Sequence, residues 1–152
     1  MAEPRQFCTF YLDRLYLGLD VLKVQEVIRN QEMTRVPLAP RHVCGLINIR
    51  GQIVTAIDLR RRLELDDRAA DQVPINVVVS SEEGPMSLLV DEIGDVLEVD
   101  EEAFENLPDT LQGTIRELIR GVYKLPERLL LVLDVDRVIQ MGPACGVLPA
   151  SV

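Results

Sequence analysis

The residues of this sequence that could carry out chemistry are His42 and Cys44. His42 is the only histidine of the sequence, and Cys44 follows it by two positions in a stretch that comes just after Pro40. A thiol and an imidazole can act as a nucleophile–base pair, but functional pairs usually bring the two groups together from separate elements of the fold. We therefore favour a structural or surface role for both residues. An enzyme that uses Cys44 as its nucleophile is the alternative.

Other catalytic and ligand-binding patterns are missing from the sequence. The 25 acidic residues include Asp58, Asp91 and Asp134, but each of these three follows a strand-like run and can serve as a cap. No glycine-rich phosphate loop is present, and one histidine with three scattered cysteines cannot supply a tetrahedral metal site. We expect no catalytic residue, no cofactor and no metal.

Charge and hydropathy narrow the class of partner. The formal net charge of −9 argues against a nucleic-acid partner, which would favour a concentrated basic surface. The basic run at residues 60–62 is typical of a solvated helix face. No stretch approaches the ~20 apolar residues that span a membrane, and the first residues do not resemble a signal peptide. We expect a cytoplasmic protein with no direct membrane insertion.

Short apolar runs separated by turn residues predict β-strands. Residues 46–50 and 53–57 form two such runs joined at Gly51 and Gln52. A glycine at the first central position of a two-residue loop predicts a type II′ hairpin. Asp20 can cap a helical turn in residues 21–28, but the β-branched residues of that segment leave helix and strand equally open.

Matching residues recur along the chain at a spacing near 70 positions. The pairs include Asp20 with Asp91 at 71, Gly51 with Gly121 at 70, and Asp58 with Asp134 at 76. Self-similarity at a nearly constant spacing predicts a duplication, and short strands with turns between them favour small barrels. The sequence therefore predicts a mainly β protein made of two related subdomains that share an apolar seam.

Several motifs in order along the chain closely resemble the CheW family, whose members are chemotaxis coupling proteins with a CheW-like domain. They are LKVQEVI at residues 22–28, TRVP at 34–37, GLINIRG at 45–51 with IDLR at 57–60, LVDEIGDV at 89–96, IRGV at 119–122 and LLLVLD at 129–134. The resemblance covers residues 7–139, nearly the whole chain. Asn76 departs from it, since family members usually carry an apolar residue there.

The resemblance implies a fold and a domain organisation. The expected fold is mainly β, with two intertwined SH3-like five-stranded β-barrel subdomains and short helical turns. A single CheW-like domain would cover residues 1–142, with one subdomain at about 13–66 and the other at about 74–140. The first strand, residues 7–12, would complete either the first or the second barrel. Residues 143–152 are expected to form a mobile tail.

The resemblance also implies a function without catalysis. The protein would couple the cytoplasmic tips of chemoreceptors to the regulatory domain of the histidine kinase CheA. Carried over by resemblance, Val24, Glu26 and Val96 would face the receptor, whereas Gly45, Arg50 and Gly121 would belong to the kinase-facing or signalling region. Glu26 and Arg50 have opposite charges and can pair near a surface. The alternatives are a scaffold of a non-flagellar chemosensory pathway, such as one for pili or gliding, and a small ligand-binding barrel.

Overall fold

Short strands make up most of the chain in the computed structural model, which describes residues 5–29, 32–69, 71–82, 84–109, 111 and 113–139. In these residues the strands are β1 (Arg5–Leu12), β2 (Leu15–Asp20), β3 (Val24–Arg29), β4 (Val43–Ile49), β5 (Gln52–Asp58), β6 (Ile75–Val79), β7 (Met86–Val90), β8 (Glu92–Val99), β9 (Phe104–Glu105), β10 (Ile119–Lys124) and β11 (Leu129–Leu133). The short helices are α1 (Leu59–Arg62), α2 (Thr114–Leu118) and α3 (Val135–Ile139), and 3₁₀ turns cover Val21–Lys23 and Glu101–Ala103. The predicted mainly β class is confirmed.

The strands form two sheets that exchange parts of the chain. The six-stranded sheet has the order β8-β1-β2-β11-β10-β9, and the five-stranded sheet has the order β3-β6-β7-β5-β4. Among the described pairs, β2 with β11 and β5 with β7 are parallel, whereas the others are antiparallel. The first repeat therefore gives β1 and β2 to the six-stranded sheet and β3, β4 and β5 to the five-stranded one. The second repeat does the reverse, so the two repeats are intertwined.

Each sheet takes strands from both of the predicted subdomains, residues 13–66 and 74–140. β2 lies in the six-stranded sheet with the C-terminal strands, and β6 and β7 lie in the five-stranded sheet with β3, β4 and β5. The physical reason is that each repeat crosses from one sheet to the other after its first hairpin. The first strand, β1, pairs with both β2 and β8 in the six-stranded sheet. The predicted tail at residues 143–152 lies outside the described residues.

Matching bulges correct the predicted alignment of the repeats. The pairing of β4 with β5 shifts register between Val43 and Gly45, and the pairing of β10 with β11 shifts between Ile119 and Gly121. Gly121 therefore corresponds to Gly45 rather than to Gly51. This match has the same spacing as Asp58 and Asp134, because both pairs belong to the same hairpin-and-helix unit.

The main hydrophobic core is shared by both sheets. It contains Phe10 and Leu17 of the six-stranded sheet together with Ile57, Val77 and Leu88 of the five-stranded sheet, all almost fully buried. β6 and β7 are buried along their whole length, as expected of central strands with few polar residues. Because one core serves both sheets, neither sheet could bury its apolar face without the other.

Candidate functional site

The hairpin between β4 and β5 places Arg50 at its tip. Ile49 pairs with Gln52, so the two loop residues are Arg50 and Gly51, with φ angles of 52° and 85°. Two positive φ angles define a type I′ turn, so the predicted type II′ turn is wrong in type. It is also wrong by one residue in position, because the central residues are 50 and 51 rather than 51 and 52. The Gly51 N–H donates to Asn48 Oδ1 at 2.8 Å, which ties the turn to the strand before it.

Glu26 and Arg50 form a two-pronged ion pair, as their opposite charges suggested. Arg50 Nη1 donates to Glu26 Oε2 at 2.8 Å, and Nη2 donates to Oε1 at 3.0 Å. The Arg50 side chain is 79% exposed and that of Glu26 is 25% exposed, so solvent weakens the pair and it is worth about 1 kcal/mol at most. Its paired geometry nevertheless fixes the direction of the guanidinium group.

This ion pair joins two opposite edges of the five-stranded sheet. Glu26 lies on β3 at one edge, and Arg50 follows β4 at the other. The backbone makes a second link, because Thr34 and Leu46 exchange hydrogen bonds of 2.8 Å and 2.7 Å. Gly45 permits this approach: an added Cβ would lie only 2.4 Å from the Thr34 carbonyl oxygen. Gly45 thus has a packing function that is visible in the fold.

Gly121 likewise makes room for a neighbour. An added Cβ would lie 2.2 Å from Cζ of Phe104, so the phenyl ring rests directly on the glycine backbone. The Phe104 ring meets that of Tyr123 edge to face at 5.2 Å between centroids. An aromatic ring laid over a strand glycine covers the surface that the missing side chain leaves open.

The structure separates the three residues that were predicted to face a receptor. Val24 and Glu26 lie on β3 of the five-stranded sheet, where Val24 is half-buried against the main core. Val96 lies on β8 at the edge of the six-stranded sheet and is 55% exposed. A register shift in β8 places Ile93 opposite Phe10 and Val96 opposite Cys8, so both apolar side chains occupy one face of this edge strand.

A buried ion network that the sequence did not predict lies between the sheets. Arg60 donates to Asp91 from Nε at 2.9 Å and from Nη2 at 2.5 Å, and Arg68 Nε donates to the same carboxylate at 3.2 Å. Burial raises the pKa of Asp91, but the hydrogen bonds from Arg60 and from the Asp13 N–H outweigh it and hold the pKa below its usual value. Arg60 is only 9% exposed, so its predicted place on a solvated helix face is wrong.

The predicted caps are present at two of the three aspartates. Asp58 Oδ1 accepts from the Arg60 N–H at 3.0 Å, and Asp134 Oδ1 accepts from the Arg137 N–H at 3.3 Å. Asp20 caps the 3₁₀ turn that precedes β3, so residues 21–28 contain both a helical turn and a strand. Asp91 instead receives the arginines, since β8 begins immediately after it.

Asn76 has a partner inside the five-stranded sheet. It lies on β6 and is only 2% exposed. Ser87 Oγ on β7 donates to its side-chain oxygen at 2.9 Å. The asparagine is therefore a buried polar group with a hydrogen bond, which removes most of the cost of burying it.

The environments of Cys44 and His42 do not favour nucleophilic chemistry. Burial raises the pKa of Cys44 to about 11, with a further contribution from Asp58, whereas a nucleophilic thiol needs a lowered pKa. Burial and the nearby Arg62 lower the pKa of His42, whose buried Nε2 has no hydrogen-bond partner among the described residues. The part of the chain that the structure describes holds no cluster of three or more metal-ligating side chains.

Within the described ranges, no helix is both long enough and apolar enough to cross a bilayer.

Comparison with known proteins agrees with this architecture. The CheW-like domain family model matches residues 6–142. Chemotaxis protein CheW of Treponema pallidum (strain Nichols) is 28% identical over 139 residues, which cover 89% of this chain and 82% of that protein. Chemotaxis protein CheW of Bacillus subtilis (strain 168) is 29% identical over 132 residues, which cover 87% of this chain and 85% of that protein.

A solved structure is similar in fold. The crystal structure of the scaffolding protein TtCheW from Thermoanaerobacter tengcongensis matches with a TM-score of 0.83 at 24% identity, covering 91% of this chain and 94% of that chain. The fold of this chain is therefore one already seen in that solved structure. Because the family model spans nearly the whole sequence, this chain belongs to the CheW-like domain family.

Proposed function

We propose that this protein is a non-catalytic adaptor that couples chemoreceptors to the histidine kinase CheA in a bacterial chemosensory array. The family match over residues 6–142 carries the proposal, and relatives named chemotaxis protein CheW support it. The raised pKa of Cys44 speaks against the alternative of a cysteine enzyme. In this role the protein works in the cytoplasm and is recruited to receptor arrays at the membrane.

An adaptor of this kind needs two docking surfaces, and the two sheets offer separate ones. On the six-stranded sheet, the edge strand β8 carries the exposed apolar side chains of Ile93 and Val96. On the five-stranded sheet, the Arg50–Glu26 pair forms a charged corner. An apolar face suits the helical hairpin of a receptor tip, whereas a charged corner gives a protein interface its orientation.

The six residues carried over by resemblance keep their proposed assignments. Val24, Glu26 and Val96 are proposed to face the receptor, and Gly45, Arg50 and Gly121 the kinase or the signalling region. The ion pair joins Glu26 of the first group to Arg50 of the second at this corner of the five-stranded sheet, whereas Val96 lies apart from it on the six-stranded sheet. Gly45 would act indirectly at this corner, through the Thr34 segment that lies against it. Gly121 would act on the six-stranded sheet, through the Phe104 ring that lies against it.

Reconstitution with the kinase and a receptor fragment encoded in the same genome tests the proposal. We expect kinase activation to depend on this protein and to be lost in a folded Arg50→His variant. Arg14→His is the matched control, because Arg14 is an exposed arginine in the turn of the β1–β2 hairpin. If the kinase responds to the receptor equally well without this chain, the proposed function is wrong.

A charge swap separates two ways in which Arg50 can act. The double variant Glu26→Arg with Arg50→Glu restores the ion pair in reverse. Recovery of kinase activation would show that the pair shapes the corner, whereas continued loss would show that Arg50 itself contacts a partner. The receptor and kinase that co-purify with the protein would show whether the pathway controls motility or another output.

A further inference from the structure

The chain passes between the two sheets at two places that the internal repeat relates. The first passage leads from β2 to β3 through the 3₁₀ turn, and the second leads from β7 to β8. At the second passage Asp91 is the single residue between the strands. Its carboxylate accepts hydrogen bonds from Arg60, from Arg68 and from the Asp13 N–H, the last at 2.8 Å. We call Arg60, Arg68 and Asp91 the Asp91 clamp.

The donors of the clamp come from both sheets. Asp13 belongs to the turn between β1 and β2 of the six-stranded sheet. On β1 of the same hairpin, the Tyr11 carbonyl accepts a hydrogen bond of 3.1 Å from the Asp91 N–H. Arg60 lies on α1, which follows β5 of the five-stranded sheet directly. Arg68 Nη2 donates to the Leu89 carbonyl on β7 at 3.4 Å. One carboxylate therefore holds parts of both sheets.

Burial makes the geometry of the clamp specific. The side chains of Arg60 and Asp91 are 10% and 8% exposed, and that of Arg68 is 9% exposed. Charge-assisted hydrogen bonds away from water depend steeply on distance and direction, because a displaced charge is left without solvent to replace its partner. A rotation of one sheet against the other would break several of these bonds at once.

The first passage shows that the fold can cross between sheets without such a clamp. There Asp20 caps the 3₁₀ turn, and its nearest arginine, Arg5, lies 3.8 Å away with a 40% exposed side chain. The position that corresponds to Arg60 in the second repeat is Asp136, which has the opposite charge. The clamp is therefore present at one of two equivalent passages, so the crossing itself does not require it.

We propose that the Asp91 clamp sets the orientation of the two sheets and thereby positions the two docking surfaces for simultaneous binding of receptor and kinase. This inference rests on the proposed function. The clamp residues lie away from the exposed surfaces, so they are positioning residues. Each surface can bind its own partner without the clamp, but the two partners are then no longer held at the angle that transmits the signal. Arg62 on α1 donates to the Val138 carbonyl on α3 at 2.7 Å, which is a second link between the two repeats.

The test uses a variant that removes both charges of the Arg60–Asp91 pair, so that neither charge is left buried without its partner. Arg60→Met combined with Asp91→Leu replaces the ion pair by apolar side chains, while Arg68 keeps its contact with Asp58 at 3.4 Å. We expect binding of kinase alone and of receptor alone to stay within about twofold of wild type, while receptor-dependent kinase activation falls about fivefold or more. Arg61→Met is the control, since Arg61 lies on the same helix but pairs with the exposed Asp67.

A distance measurement provides a readout that does not need the partners. Spin labels at Ile53 on β5 and Val96 on β8 report the separation of the sheets, since both side chains are exposed. The labels are placed in a background without the three native cysteines. We expect a narrow distance distribution with the intact clamp and with Arg61→Met, and a broader one in the double variant.

The outcomes separate the clamp from the proposed function. If the wild-type protein fails to activate the kinase, the proposed function is wrong, and the spin-label distances alone decide whether the clamp orients the sheets. An unchanged distance distribution together with wild-type activation in the double variant would overturn the inference. A parallel loss of single-partner binding and activation would overturn it as well, because the network would then be a general support of the fold.

Discussion

Replacing Gly121 by alanine should destabilise the protein through the ring of Phe104. A Cβ at position 121 would lie 2.2 Å from Cζ and 2.5 Å from Cε1 of that ring, so the ring has to leave its place. Phe104 would lose its contact with Tyr123, 5.2 Å away between centroids. Phe104 is 43% exposed in the wild type, and the displaced ring would also expose the part that is covered there.

The size of the effect follows from these two losses. An edge contact between aromatic rings contributes about 0.5–1.5 kcal/mol. Burying a whole phenylalanine side chain contributes about 1.5–3 kcal/mol, of which roughly half applies to a half-exposed ring. We therefore expect Gly121→Ala to lower the free energy of unfolding by about 2 kcal/mol, which is a decrease in Tm of about 4–8 °C for a protein of this size.

A double-mutant cycle identifies the ring as the cause. Thermal unfolding is measured for Gly121→Ala, for Phe104→Ala and for the double variant. In the Phe104→Ala background the added methyl group meets open space, so Gly121→Ala should then cost less than about 0.5 kcal/mol. An equal cost in both backgrounds would refute the reasoning, because the clash with Phe104 would not be what the glycine avoids.

Three further predictions concern other parts of the molecule. Gly45→Ala should break the two hydrogen bonds between Thr34 and Leu46, at a cost of about 1–3 kcal/mol, and speed amide hydrogen exchange at both residues. Asp91→Asn should cost about 3–5 kcal/mol at neutral pH in urea unfolding, because buried arginines lose their partner. The pKa of Asp91 is lowered in the folded state, so its contribution is present above the unfolded pKa of about 4 and is lost as the pH falls through the folded pKa. The gap between wild type and Asp91→Asn should therefore shrink in acid, and a constant gap would contradict this account. Cys44, with its pKa raised to about 11, should react with a thiol reagent at neutral pH far more slowly in the folded than in the urea-unfolded protein; equal rates would contradict its burial.

Local patterns predicted the strands but not their distribution between the sheets. The runs around Ile47 and Val54 are apolar and bounded by turn residues, so they indicated β4 and β5 from neighbouring residues alone. Strand partners, by contrast, are chosen by contacts across the whole chain. β2 and β11 are parallel neighbours although most of the sequence lies between them, and no periodicity in either strand indicates the other.

The candidate site was likewise predicted only in part from the sequence. Opposite charges at Glu26 and Arg50 suggested the ion pair, yet its two-pronged geometry depends on a turn one residue earlier than predicted. The basic run at residues 60–62 hid the buried Arg60, because its partner Asp91 lies 31 positions further along the chain. A usable signal was present at Asp91: an aspartate that directly follows the apolar run Leu88-Leu89-Val90 needs a buried cation or a water-exposed position.

The exchange of strands between the repeats has a consequence for the folding of severed halves. A cut in the loop between α1 and β6 would leave two fragments, each with strands of both sheets and with half of the shared core. Neither fragment could bury its apolar face alone, so each should be largely unfolded until it meets the other. When the two fragments are mixed, they should associate and fold together. Because β1 pairs with β8 and β2 pairs with β11 across long stretches of chain, many native contacts are non-local, and folding should be slow for a domain of this length.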